Sequence, residues 1–263
     1  MITFAALLPH TPLLVPTVGE QPKKKFPKTV AAYETLSIQL KKQAIQTLVI
    51  ISPHGSVLPD ALSLHLHDQF EGTLTEFGDL VTKISFQPDV ALIDETQRLL
   101  RKVGQPLTIN TLPALDYGIM VPLSLLQLPA SVRLVPITTA LLDAKAHFNF
   151  GETLQEIFSS SSRSIAVCAS GDLSHRLSSD TPLGFSPEGT KFDAAIQEAI
   201  ETQSATRLLR LEPSLLEEVQ ACGFKPIVTL LGILSRLTTK PHLLAYEHPF
   251  GVGYLTVHFE LTG

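Results

Sequence analysis

Residues 165–177, "IAVCASGDLSHRL", contain the abrupt change of character that decides the fold. An apolar run typical of a buried strand stops at Ser170, and His175 follows five residues later. The same event occurs twice earlier in the chain. "FAALLPH" ends at His10, and "TLVIISPH" ends at His54. Three strand-like segments therefore each lead into a histidine, and we interpret this recurrence as the mark of a shared site.

Around these segments, short apolar runs alternate with longer segments of helical periodicity. This alternation predicts a single α/β domain over residues 1–263, with a mostly parallel or mixed central sheet and helices on both faces. Ligands of such sheets bind beyond the carboxyl ends of the strands, so the three histidines are expected to meet. Strands are predicted at 2–8, 47–52, 61–68, 80–86, 107–112, 132–138, 164–170, 242–247 and 253–260, and helices at 28–42, 89–103, 144–158, 187–202, 205–209, 213–220 and 226–237.

The composition excludes several classes of protein. Apolar residues make up 44% of the 263 residues and charged residues 17%, which is enough for a sizeable core and argues against disorder. The net charge is -5 and no basic stripe is present, so we expect no nucleic-acid partner. The two cysteines, Cys168 and Cys222, are too few for a disulfide framework and favour a reducing compartment. Without a signal-peptide pattern or a long apolar run, we expect a soluble, cytoplasmic protein that does not enter a membrane.

The remaining histidines carry weaker signals. His65 and His67 form an H-x-H pair in an alternating segment, which is typical of a solvated strand face rather than of a metal site. His147 is predicted to lie on a helix surface. His248, which follows Glu247, is the one remaining candidate for a neighbour of the site.

A serine hydrolase is an alternative that the sequence disfavours. Ser170 or Ser174 would have to combine with His175 and Asp172, and these residues are crowded within six positions of one strand end. The chain also lacks a G-x-S-x-G nucleophile elbow. Asp172 has two other interpretations: it orients a side chain of the site, or it caps a helix that follows the strand, which is the commoner role.

Five motifs together resemble the class III extradiol ring-cleavage dioxygenase superfamily. The resemblance is strongest to small proteins that are similar to the B-type subunit of those enzymes and are related to the Memo proteins, including AmmeMemoRadiSam system protein B. It spans almost the whole chain. The motifs are "LPHTPLLVPTVG" at 8–19, "SPHG" at 52–55, "SGDLSHRL" at 170–177, "CGFKPIVTLLGIL" at 222–234 and "YEHPFGVGYL" at 246–255.

The resemblance implies a non-haem Fe(II) site with two histidines and one carboxylate. The histidine ligands would be His10 and His54, and His175 would be the acid–base group. A facial triad leaves three positions open, enough for a bidentate catecholate and O₂, and a nearby imidazole can take and return a proton. The substrate would then be a small, aromatic molecule. The superfamily often forms dimers or larger assemblies, so the resemblance also implies a homo-oligomer.

Two positions depart from the dioxygenase pattern. Cys222 is nearest to the place of the carboxylate ligand, as in Memo-type proteins, and Glu218 and Glu247 are the reserve carboxylates. A cysteine ligand would favour Zn²⁺, Cu(I) or a different iron chemistry, although a buried structural cysteine fits equally well. Tyr117, in "LDYGIMVPL", stands where the dioxygenases carry another histidine, and a pKa near 10 makes tyrosine a poor proton shuttle. The alternative function is a Memo-like metal-binding or partner-binding protein without ring cleavage.

Overall fold

The computed structural model describes residues 1–262. Eight of its strands form one mixed sheet in the order β6-β3-β7-β2-β8-β1-β10-β9, and β4 pairs with β5 in a separate hairpin. The predicted α/β fold with a mixed sheet is thereby confirmed. The strands are β1 (Ile2–Leu8), β2 (Thr47–Ser52), β3 (Leu62–His65), β4 (Phe70–Leu74), β5 (Asp79–Phe86), β6 (Leu107–Asn110), β7 (Arg133–Thr138), β8 (Ile165–Ser170), β9 (Thr239–Glu247) and β10 (Tyr254–Leu261).

The centre of the sheet is parallel and in register, which aligns the carboxyl ends of its strands. β7, β2, β8 and β1 run parallel to one another, while β3, β10 and β9 include the antiparallel pairings. Leu8 of β1 pairs with Ser170 of β8, and Ile51 of β2 pairs with Ala169. The segments that follow these three strands therefore leave the sheet side by side.

Helices cover both faces of the sheet, as the sequence predicts. One apolar core contains residues of α4, α6, α7 and α9, and the other contains residues of α3 and α5. Alternate residues of β1 enter opposite cores: Leu7 lies in the first, and Leu8 in the second. The helices are α1 (Pro16–Gly19), α2 (Pro22–Lys25), α3 (Pro27–Gln43), α4 (Val90–Lys102), α5 (Tyr117–Leu126), α6 (Ala144–Ser160), α7 (Pro187–Glu201), α8 (Pro213–Val219) and α9 (Phe224–Leu234).

The sequence did not predict four elements, α1, α2, α5 and β4, and two of its predictions need correction. Helix α5 is almost wholly buried and contains Pro122, so it shows neither the amphipathic period nor the composition of a surface helix. β4 is a five-residue strand with a glycine in it. The strand predicted at 61–68 is only Leu62–His65, and the helix predicted at 205–209 is a 3₁₀ turn at Leu208–Arg210.

Two histidine predictions were wrong. His65 is buried, and its Nε2 lies 2.8 Å from the Thr138 hydroxyl, so the face of β3 on which a solvated side chain was expected is covered. His147 is fully buried in α6, where Nδ1–H donates to the Asp143 carbonyl and Nε2 accepts from Ala140 N–H. Within residues 1–262, no helix combines the length and the apolar character needed to cross a membrane.

Candidate metal centre

Three side chains from separate parts of the chain converge beyond the carboxyl ends of β1 and β2. Nε2 of His10 lies 3.1 Å from Nε2 of His54 and 3.3 Å from Sγ of Cys222. The ligand atoms of these three residues all lie within 4.8 Å of one another. Two strand-end histidines and the cysteine that precedes α9 thus form one cluster.

The orientation of His10 is fixed on both its backbone and its ring. Its backbone N–H donates to Oδ1 of Asp172 at 2.9 Å, and its Nδ1 lies 2.9 Å from the Ser170 hydroxyl oxygen. Ser170 donates its own proton to the Gly118 carbonyl, so its oxygen accepts from Nδ1–H of His10. The Nε2 lone pair of His10 therefore faces His54 and Cys222, which is the tautomer that a metal ligand requires.

His54 is positioned by β2 and by the start of α5. Its backbone N–H donates to the Ser52 hydroxyl at 3.2 Å, and its ring stacks on Tyr117 with centroids 4.3 Å apart. The Tyr117 hydroxyl lies 3.4 Å from Nδ1 of His54. Tyr117 also packs edge-on against the His10 ring, with centroids 5.5 Å apart, so it contacts both histidines. Burial raises the pKa of its hydroxyl.

Burial keeps the imidazoles neutral. Desolvation and the neighbouring His175 lower the pKa of His54 to about 4, and desolvation together with the other two histidines holds that of His10 well below its usual range. Neutral rings expose nitrogen lone pairs at physiological pH. The two Nε2 atoms lie 3.1 Å apart, close enough for one ring to donate a hydrogen bond to the other, or for a cation to bind both when each ring carries its proton on Nδ1.

Cys222 is brought to His10 by a close approach of two backbones. A side chain on Gly171 or on Gly223 would collide with the backbone of the other residue, so only glycine fits at this crossing. Gly223 N–H donates to the Asp172 carbonyl at 2.8 Å, and Asp172 N–H donates to Sγ of Cys222 at 3.3 Å. Burial and the Asp172 carboxyl raise the pKa of the Cys222 thiol, so a cation must supply the stabilisation that a thiolate needs.

His175 belongs to a second group that shares Cys222 with the first. The ligand atoms of Asp172, His175 and Cys222 lie within 4.8 Å of one another. Nε2 of His175 is buried and has no hydrogen-bond partner within residues 1–262, and desolvation lowers the pKa of the ring. The backbone N–H of His175 donates to the Val219 carbonyl at 3.0 Å. A neutral imidazole with a free nitrogen therefore stands beside the cluster.

The capping role considered for Asp172 is wrong. No helix begins between Asp172 and Pro187, and the carboxylate instead accepts from the His10 backbone, so it orients a side chain of the site. Desolvation raises its pKa to about 7 despite that hydrogen bond.

Asp116 is a residue of the site that sequence reasoning missed. Its Oδ1 accepts from the Ser52 hydroxyl at 2.7 Å, while its Oδ2 is buried without a partner in the described residues. Burial raises the pKa of this carboxyl. The sequence signal that could have identified it is its position directly before Tyr117 and Gly118.

The reserve carboxylates lie elsewhere. Glu247 accepts from Thr29 N–H at 2.7 Å and thereby caps the first turn of α3. Glu218 is exposed and accepts from the Ser186 hydroxyl at 2.6 Å, at the start of α7. His248 is exposed. Of the three candidates for a third ligand, only Cys222 lies in the histidine cluster, although ligation itself stays a prediction.

The separations within the cluster fit a transition metal. Two nitrogens each about 2.0–2.1 Å from a tetrahedral Zn²⁺ are about 3.3 Å apart, and a thiolate at about 2.3 Å is about 3.5 Å from either nitrogen. The corresponding distances here are 3.1 Å and 3.3 Å. Nitrogen and sulfur donors suit Zn²⁺, copper and iron, and do not suit Mg²⁺ or Ca²⁺.

A cleft of about 440 Å³ reaches the cluster at Cys222. Its volume is in the range of small-molecule sites. A larger cavity, of about 560 Å³, is lined by residues of α2, α3 and α5 and by none of the site residues. Of these two, only the smaller cleft has a residue of the cluster in its wall. Its walls are formed by Pro53, Val57, Thr139, Ala140, Leu141, Leu216, Glu217, Gln220, Ala221, Cys222, Phe224 and Lys225.

The converging histidines and cysteine suggest a metal-binding site at this edge of the sheet. Residues 4–257 match the family described as the catalytic LigB subunit of aromatic ring-opening dioxygenase, and the chain belongs to this family.

Two relatives and one solved structure are similar to this chain. Protein CA_C1420 of Clostridium acetobutylicum is 29% identical over 97% of this chain, which spans only 56% of the length of that relative. A MEMO1 family protein of Sulfolobus acidocaldarius is 25% identical over 89% of this chain and 77% of its own length. The crystal structure of an uncharacterized protein, JW3007 of Escherichia coli K12, has the same fold, with a TM-score of 0.71, 18% identity and coverage of 97% and 99% of the two chains.

Proposed function

We propose that this protein is a metal-dependent oxidoreductase of the extradiol dioxygenase type, acting on a small aromatic substrate. One observation carries the proposal: the Nε2 atoms of His10 and His54 and the Sγ of Cys222 converge, and an unpartnered Nε2 of His175 stands beside them. Ligands alone would support metal binding. A buried, free imidazole next to the ligands adds a group that can move a proton.

His10, His54 and Cys222 would hold the metal, which would supply a Lewis acid and, if redox-active, a site for O₂ chemistry. Fe(II) is the proposed divalent metal because the family carries it, with Zn²⁺ or copper as alternatives that a thiolate ligand favours. Asp172 holds the His10 backbone, and Ser170 holds its ring. These two contacts fix the nitrogen lone pair before any metal arrives.

His175 would act as the acid–base group. Its lowered pKa leaves the ring neutral at neutral pH, so one ring nitrogen can accept a proton from a substrate hydroxyl and return it to the product. Tyr117, whose pKa is raised, keeps its proton, so it can donate a hydrogen bond but does not shuttle a proton. The cleft wall of Pro53, Val57 and Phe224 would exclude water from the reacting ring.

The first test measures metal and O₂ consumption together. Protein purified without chelator is assayed for metal, reconstituted anaerobically with Fe(II), and then mixed with catechol and O₂. We expect O₂ uptake with a ring-opened product, and His175→Ala should keep the metal but lose about 10²–10⁴-fold in turnover. Equal turnover by His175→Ala would remove His175 from the mechanism.

A second candidate function is a Memo-like metal-binding or partner-binding protein without ring cleavage. The cysteine at the third ligand position and the tyrosine at position 117 favour it. Stoichiometric metal with no O₂ uptake from any catechol tested would select this candidate. For either function we propose a cytoplasmic homo-oligomer with no nucleic-acid or membrane partner.

Thiol reactivity tests whether Cys222 is the third ligand. A metal-bound thiolate is shielded, so labelling of Cys222 with a maleimide should rise when a chelator removes the metal. Cys168 is an internal control, because it is fully buried in β8 and should stay unlabelled in either state. Equal labelling with and without chelator, together with unchanged metal content in Cys222→Ala, would return Cys222 to a structural role.

A further inference from the structure

The cleft that reaches Cys222 also contains a cation without an acidic partner. Lys225, three residues after Cys222, lies in the first turn of α9 and lines the cleft. Its side chain is half-buried, and Nζ donates one hydrogen bond, to the Ala140 carbonyl at 2.6 Å. No carboxylate within residues 1–262 forms an ion pair with it. An ammonium carries three donors, so two remain for another acceptor.

The surroundings of Lys225 favour an acceptor that comes from outside the chain. Pro53, Leu141 and Phe224 contribute apolar wall to the same cleft, and Ala140 fixes the ammonium at one side of it. Glu217, the one acidic residue among those that line the cleft, is exposed on α8 and is not within ion-pair distance of Lys225. Holding an ammonium half-buried costs solvation, and this cost lowers its pKa. An anionic ligand group would offset that cost.

We infer that Lys225 recognises an anionic group, a carboxylate above all, on the substrate whose reacting end lies at the metal centre. The assignment rests on the proposed function, because it makes the cleft the substrate site. A ligand of this class has an apolar, ring-sized body between a charged end at Lys225 and a metal-facing end at Cys222. Charge-assisted hydrogen bonds are stronger and more selective than neutral ones, so Lys225 would determine specificity rather than take part in the chemistry.

Benzoate and benzamide form a matched pair of probes, because they share size and ring and differ in charge. Calorimetric titration of each into the metal-free and the metal-loaded protein measures the preference. We expect benzoate to bind about tenfold or more tightly than benzamide in both states. The metal-free arm is needed because a carboxylate can also coordinate a metal, and that contribution disappears when the metal is removed.

Three variants test whether Lys225 causes the preference for benzoate over benzamide. Lys225→Met keeps the apolar stem and should remove the benzoate preference while leaving metal content unchanged. Lys225→Arg should retain it in part. Lys102→Met, which removes an exposed lysine at the end of α4, should leave it intact.

Equal binding of the two probes by the unmodified protein, a preference that survives Lys225→Met, or no binding of either probe up to its solubility limit would each overturn the assignment. Its failure is distinguishable from that of the proposed function. Metal content and O₂ uptake are measured without these probes, so an enzyme that cleaves catechol but ignores the charge of benzoate would overturn only the role of Lys225.

Discussion

Buried polar side chains lie at both ends of β2, but the two ends differ in how completely these side chains are hydrogen-bonded. At the amino end, the Asp89 carboxylate accepts from the Thr47 hydroxyl at 2.6 Å and from Leu92 N–H at 3.1 Å, and it pairs with Arg163 Nε at 3.0 Å. At the carboxyl end, the Nε2 atoms of His10 and His54 face each other, and Nε2 of His175 has no partner in the described residues.

The difference separates a structural cluster from a functional one. A fully paired buried network stabilises the fold, whereas each unpaired buried donor or acceptor costs about 1–3 kcal/mol. At the amino end, both oxygens of the Asp89 carboxylate have partners. At the carboxyl end, Nε2 of His175 and Oδ2 of Asp116 are buried without a partner in the described residues, and a ligand that uses them would explain why they are there.

The largest effect expected is the loss of metal on substitution of the histidine pair. Outer-shell partners of a metal are worth about 10–100-fold in affinity, so removing two ligands together should weaken binding by about 10⁴-fold or more. The variant His10→Ala/His54→Ala should therefore be purified without stoichiometric metal. The fold should survive, because these side chains give the folded state few satisfied hydrogen bonds. Elemental analysis and circular dichroism check the two halves of this prediction.

The matched control is His248→Ala, which removes an exposed imidazole outside the cluster. Its metal content should be close to that of the unmodified protein. Undiminished metal in the double histidine variant would contradict the functional interpretation of the carboxyl end.

The opposite result is expected at the amino end. Asp89→Ala removes the N-cap of α4 and leaves the buried Thr47 hydroxyl without its acceptor, at a combined cost of about 3 kcal/mol in the free energy of unfolding. Metal content should not change. Asp89→Asn, which keeps an acceptor for the cap, should lose less. Urea unfolding measures the stability, and a loss of metal in either variant would break the distinction between the two ends.

The sequence predicted the parallel centre of the sheet because its strands are continuous apolar runs that end in polar residues. The convergence of His10, His54 and His175 followed from the rule that ligands bind at the carboxyl ends of such strands. The sequence also indicated the two departures from the dioxygenase pattern, because Cys222 and Tyr117 lie at positions where that pattern has other residues. Their contacts agree with the prediction of a site, and the roles assigned to them stay predictions.

Other features of the site depend on tertiary contacts that no local pattern contains. The crossing of Gly171 and Gly223 joins segments about fifty residues apart, and nothing in either segment points to the other. In the sequence, Asp116 resembles an ordinary turn residue, and only the tertiary structure shows that its Oδ2 is buried. His65 and His147 were misplaced for the same reason: an alternating or helical pattern shows which side chains share a face, but a second element decides whether that face is covered.

Asp193 sharpens the comparison, because it lies near the site and yet resembles Asp89. Its Oδ1 accepts from Ser174 N–H at 2.9 Å and its Oδ2 from the Tyr246 hydroxyl at 2.8 Å, so the carboxyl is fully paired. Burial nevertheless raises its pKa to about 7. We therefore expect Asp193 to have a structural role, because both of its carboxyl oxygens are paired even though it lies near the site.

The smallest effect expected is the pH dependence that Asp193 gives to stability. The folded pKa of about 7 is above the unfolded value near 3.9, so the folded protein binds the extra proton. The stabilisation is fully present below about pH 4 and is lost as the pH rises through 7. Between pH 5 and 7.5 the loss is about 2–3 kcal/mol, since one pKa unit corresponds to about 1.4 kcal/mol.

Asp193→Asn, which keeps an acceptor for Ser174 N–H, should flatten this slope and leave metal content unchanged. Urea unfolding across the pH range measures it on metal-free protein, where the raised pKa of Asp172 adds a slope of the same sign that the variant retains. An unchanged slope in Asp193→Asn would show that its buried carboxyl is ionised in the folded protein and adds no pH dependence to stability.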